Sequence, residues 1–118
     1  MEPEELAIRC ATLAADKKAA DIVVLDLRDI STFTDFFVIC SGTSEPQLKA
    51  IAGEIEVRLR EEDSVRPAAV DGFPTSQWIV LDYLQVIVHI FHVEKRDFYA
   101  LEDLWSDAPR LTIPSVTS

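Results

Sequence analysis

The runs Ile22-Val23-Val24-Leu25 and Phe36-Phe37-Val38-Ile39-Cys40 contain no charged or hydroxyl side chain and are too short to be helices. Runs of this kind suit strands buried on both sides, so they predict central strands of a sheet covered on two faces. A third run, Val86-Ile87-Val88-His89-Ile90-Phe91, alternates: Val86, Val88 and Ile90 share one face, and Ile87, His89 and Phe91 share the other. Trp78 to Leu81, extending to Asp82, precedes it across a gap short enough for a hairpin. A further short strand is expected near Ala68 to Val70, inside a connection marked by Pro67, Gly72 and Pro74.

The segments between these runs have helical periodicity. Over residues 4 to 19, Leu6, Cys10 and Leu13 fall on one face with Ala14 beside them. A second helix starts after Ser44 as N-cap, with Pro46 in the first turn and Gln47 three residues past the cap. Its apolar stripe is Leu48, Ile51, Ala52, Ile55 and Leu59. A last helix is expected over Lys95 to Trp105, where Phe98, Leu101, Leu104 and Trp105 recur at helical spacing. The order predicts an α/β (α+β) domain with a single mixed β-sheet flanked by helices. That domain spans residues 1–106, and residues 107–118, with Pro109, Pro114 and a Ser/Thr end, read as a flexible C-terminal tail.

Length and charge narrow the function classes. A chain of 118 residues has room for one core. Its 11 Lys+Arg against 21 Asp+Glu leave a net charge of −10 and no basic cluster, which argues against nucleic acid as the main source of affinity. A basic protein surface is the better complement, although acidity also serves plain solubility. No apolar stretch approaches the roughly 20 residues that cross a bilayer. The N-terminus is acidic where a signal peptide is basic. Cys10 and Cys40 sit within apolar patterning, as reduced core thiols do. The expected compartment is the cytoplasm.

Four groups of residues could carry chemistry. The turn Gly42-Thr43-Ser44 lies between a strand and a helix start, where backbone N–H groups can hold an anion; a capped turn is the simpler reading, since no phosphate-loop lysine follows. Glu54 and Glu56 resemble a metal-binding pair, but on a helix they diverge by about 200° and cannot share one ion. His89 has no nucleophile motif around it, and Asp26, Asp71 and Asp82 would reach it only through the fold. Trp78, Asp82, Tyr83 and Tyr99 combine aromatic anchors with acids, as protein–protein hot spots do. Trp105 fits core packing. No metal or cofactor motif is present.

Five segments then occur in order: Leu25-Asp26-Leu27, Thr34 to Ser44 (TDFFVICSGTS), Trp78 to Tyr83 (WIVLDY), Val86 to Phe91 (VIVHIF), and Arg96 to Trp105 (RDFYALEDLW). Together they resemble the ribosomal silencing factor (Iojap-like) family over about residues 5–106. The resemblance implies a nucleotidyltransferase-like fold without catalytic residues, and hence no enzyme. It also implies binding to the large ribosomal subunit through ribosomal protein fourteen on the intersubunit face. The bound factor would block joining of the small subunit and repress translation under nutrient limitation, and family members can form homodimers. On this reading Trp78, Asp82, Tyr83, His89 and Tyr99 contribute to the ribosomal-protein interface. The family's usual Gly-Asp before the Val-Ile-Val-His strand is here Leu84-Gln85, which alters a turn that leucine tolerates poorly at positive φ. The alternative is a nucleotide- or phosphate-binding transferase acting at the Gly42–Ser44 turn.

Overall fold

The computed structural model describes residues 1–73 and 77–113, with the side chains of Phe73, Phe98 and Tyr99 outside that description. The chain runs α1 (Pro3–Asp16), β1 (Ala20–Asp26), β2 (Phe36–Gly42), α2 (Glu45–Asp63), β3 (Ala69–Phe73), β4 (Trp78–Asp82), β5 (Val86–His92), α3 (Val93–Tyr99) and α4 (Leu101–Leu104). The five strands form one mixed sheet in the order β1-β2-β5-β4-β3. Only β2 and β5 are parallel, paired from Phe36↔Val86 to Gly42↔His92, and the other pairs are antiparallel.

The alternation expected in β5 divides the sheet into two faces. Phe36, Val38, Cys40, Val86, Val88 and Ile90 point toward α1 and α2, where they meet Leu6, Cys10, Leu13, Leu48, Ile51, Ile55 and Leu59 in the larger core. Cys10 and Cys40 are free thiols, fully buried there. Burial pushes the Cys40 thiol up to about 12, so it stays protonated and packs as a small apolar side chain. On the opposite face Leu25, Leu27, Phe37, Ile39, Phe91 and Ala108 form a second cluster, joined by the partly buried Trp105 and Leu101.

The second helix begins as its sequence requires. Ser44 Oγ accepts from Gln47 N at 3.2 Å, a cap worth about 1 kcal/mol. The Gln47 side chain does not close the box back onto Ser44. Its Oε1 accepts from Thr43 N at 2.7 Å, and its Nε2 donates to the carbonyl of Lys18 at 3.1 Å, tying the end of α1 to the start of α2. A Cβ on Gly42 would come within 2.9 Å of Leu48 Cδ2 and 3.1 Å of Gln47 Oε1, so a side chain here would displace both.

Three expectations need correction. β1 is an edge strand, not a central one. Its apolar residues are buried instead by α1 on one side and by the C-terminal segment on the other. That segment is not loose through Leu111: Asp26 N donates to the Pro109 carbonyl at 2.8 Å, Leu111 N donates to the Val24 carbonyl at 2.9 Å, and Ala108 is buried. The single helix expected over Lys95–Trp105 breaks at Ala100, whose φ of 48° ends α3 and starts the four-residue α4.

Arg96 latches this break. It is buried, with Nη1 on Ser41 Oγ at 2.9 Å and Nε on Glu102 Oε1 at 2.7 Å across the kink. Without Arg96 the buried Ser41 hydroxyl loses its partner and Glu102 is left with Arg110 at 3.6 Å. Arg96→Met should therefore lower stability by about 2–3 kcal/mol, read from urea unfolding; an unchanged midpoint would show that α3 and α4 hold without the latch.

Candidate protein-docking face

The face of the sheet opposite α1 and α2 is covered unevenly. Over β1 and β2 it is packed by Trp105, Leu101 and Ala108. Toward β4 and β3 it carries Trp78, Val80 and Asp82, opposite Phe91, His89 and Ile87 respectively. Trp78, Val80, Asp82 and Ile87 are half-buried, and Asp71, opposite Val80, is exposed. An apolar strip edged by two carboxylates results, on a rigid sheet. This arrangement suits a protein surface with apolar and basic groups.

Trp78 is fixed in place by its neighbours. Its ring stacks on Phe91 with centroids 5.0 Å apart, and its indole Nε1 donates to His89 Nδ1 at 3.2 Å. An indole can only donate, so Nδ1 is the acceptor and the imidazole proton sits on Nε2. That Nε2 is buried and has no hydrogen-bond partner among the described residues. Phe37 meets the imidazole edge to face at 4.6 Å. Burial pushes the His89 pKa down from 6.5 to about 4, while among the described residues Asp26 is paired with Arg28, Asp82 accepts from Leu84 N and Asp71 is exposed. Asp26, Asp71 and Asp82 therefore do not converge on it.

The five residues expected to share an interface thus separate. Trp78 and Asp82 lie on the half-open strip. His89 is 6% exposed, so it acts by positioning Trp78 and cannot itself meet a partner's surface. Tyr83 faces the other way: it is 7% exposed within the α1/α2 core, with its hydroxyl buried and unpartnered among the described residues. Burial, with Cys10 and Glu56 nearby, raises its phenol. Tyr99 closes α3, and its side chain lies outside the described residues. Val80 and Ile87 complete the strip but were not among the expected residues. Strand parity alone could have found them, since each lies two residues from an expected one.

The Gly42-Thr43-Ser44 turn is already occupied by the chain's own groups. Gln47 Oε1 takes the Thr43 N–H and hydroxyl at 2.7 and 3.1 Å, where an anion's oxygen would sit. Glu54 pairs with Arg58 at 3.1 Å along the same helix. Among the described residues, no three His, Cys, Asp or Glu side chains form a group that could hold a metal. No described helix is long and apolar enough to cross a membrane.

The whole chain, residues 1–118, matches a family described as "Ribosomal silencing factor during starvation". It is 37% identical to the ribosomal silencing factor RsfS of Halalkalibacterium halodurans over 118 residues, all of both chains. It is 41% identical to RsfS of Bacillus subtilis over 99 residues, covering 84% of this chain and 83% of that one. A crystal structure of a Chromobacterium violaceum protein superposes with a TM-score of 0.84 at 29% identity, over 90% of this chain and 88% of that one.

The buried imidazole makes stability depend on pH. The unfolded chain binds the proton near pH 6.5 and the folded chain only near 4, so protons favour unfolding between those values. Stability should be complete above about pH 6.5 and fall by about 2 kcal/mol between pH 7 and 5. His89→Gln, which keeps an acceptor and cannot titrate, should flatten that slope in urea titrations. An equally steep slope in the variant would place the titration elsewhere.

Proposed function

The chain belongs to the ribosomal silencing factor family, and on that premise we propose that it represses translation by docking its half-open sheet face on the large ribosomal subunit. The partner in this reading is ribosomal protein fourteen on the intersubunit face, and the bound factor blocks joining of the small subunit by occupying its place. It acts in the cytoplasm, under nutrient limitation, as a binding protein without a catalytic step.

The observation that carries the reading is the strip Trp78–Val80–Ile87, edged by Asp82 and Asp71. An indole already held by a hydrogen bond and a stacking partner loses little freedom on binding. The net charge of −10 favours approach to a basic protein surface and opposes contact with the surrounding ribosomal RNA phosphates. The transferase reading has less support, because the turn it needs is filled by Gln47.

Co-sedimentation with separated ribosomal subunits, followed by a subunit-joining assay, tests the proposal. The protein should pellet with large subunits alone and lower the yield of joined ribosomes. Trp78→Ala should weaken binding by about 2 kcal/mol, roughly 30-fold, without unfolding the chain. Asp82→Lys should also weaken it, and the wild-type affinity should fall as salt is raised. Binding to neither subunit at low salt would end the ribosomal reading. A rise in melting temperature with ATP or GTP and Mg²⁺ would revive the transferase one.

A further inference from the structure

At one end of the sheet, three large apolar side chains stand in solvent. Ile30 (45% exposed) and Phe33 (59%) belong to the loop between β1 and β2, and Leu84 (64%) belongs to the β4–β5 turn. The two segments are bonded together, because the Gln85 carbonyl accepts from both Asp35 N and Phe36 N at 3.0 Å. Phe33 packs on the covered part of the same sheet face: its ring centroid lies 6.2 Å from those of Phe37 and Trp105. On the far side, Leu84 N donates to Asp82 Oδ1 at 2.7 Å, the carboxylate that edges the same face.

Leu84 is the least economical residue of the three. Its φ is 71°, in the left-handed region where a Cβ is strained and glycine or asparagine is not. Its side chain contributes to neither core cluster. Local conformation and packing within the chain therefore both favour another residue. The turn is firmly held, with Tyr83 N on the Val86 carbonyl and Gln85 N on the Tyr83 carbonyl, both at 2.9 Å. A leucine displayed on a fixed turn is preorganised for an apolar contact outside the chain.

We infer that Ile30, Phe33 and Leu84 form an apolar lip that continues the docking face, and that the ribosomal protein partner covers it with apolar side chains beside the basic groups that meet Asp82. Leu84 then sets how tightly this chain holds its partner, at the expense of turn stability. The inference rests on the ribosomal reading above.

The experiment compares wild type, Leu84→Gly, Leu84→Asn, Ile30→Ser and Trp78→Ala. Each is measured for melting temperature, affinity for purified large subunits and self-association by sedimentation. Both Leu84 variants should melt at or above the wild-type temperature yet bind about tenfold more weakly, the loss expected for one leucine kept from burial. Ile30→Ser should fold normally and bind severalfold more weakly. A purely structural role would move stability and affinity together. If the Leu84 variants bind like wild type while Trp78→Ala is weakened, the lip is overturned and the ribosomal reading stands. If wild type binds no subunit, both fall. If loss of Leu84 changes only self-association, the lip belongs to a second copy of the chain and the inference is overturned.

Discussion

The parallel pairing of β2 with β5 is the constraint on which the rest of the molecule depends. It joins residues fifty positions apart, from Phe36↔Val86 to Gly42↔His92, and parallel strands cannot be connected by a tight turn. The chain leaves β2 through α2, crosses to β3 and returns through β4 to β5, and α2 in the same step covers one face. Register follows from burial. A slip of one residue would drive His89 into the α1/α2 core and move Val88 and Ile90 to the opposite face. Every assignment of a side chain to the packed face or the half-open face descends from this pairing.

The half-open face combines rigidity with a small, tolerated polar defect. Trp78 is held by an imidazole that burial keeps neutral well below its ordinary pKa, and whose other N–H has no hydrogen-bond acceptor among the described residues. An apolar residue at position 89 would remove the defect and also the acceptor that orients the indole. The Arg96 latch plays a comparable part at the other end of the face. It keeps α4 and Trp105 over β1 and β2, which confines the open area to β4 and its neighbours.

Much of this was legible in the sequence because it depends on local periodicity. The five strands, the Ser44 cap and the stripe of α2 are all written in runs of fewer than twenty residues. The two faces of β5 follow from alternation, and so does Tyr83: it shares parity with Ile79 and Leu81, which assigns it to the core rather than to the interface. Other features have no local signature. The apolar spacing of residues 98–105 continues across Ala100, so nothing in it marks the break. The cover over the outer edge of β1 depends on a segment more than eighty residues away, and the filling of the Thr43 turn depends on where one amide side chain folds back. The half-open strip lies between these cases, its parity visible but its lack of cover set by tertiary packing.

The segment 109–111 has a consequence for how the protein behaves in crowded solution. By bonding to Asp26 and Val24, it occupies the outer side of β1, whose middle is the apolar run Ile22-Val23-Val24-Leu25 between Asp21 and Asp26. An open edge of that composition is a template on which a strand of another molecule can add. The opposite border of the sheet, β3, is only five residues long and carries Asp71 and Gly72, which discourage the same addition. The C-terminal strap is therefore a guard against polymerisation: a chain cut before Pro109 by a protease would keep its helices and docking strip but acquire a sticky seam.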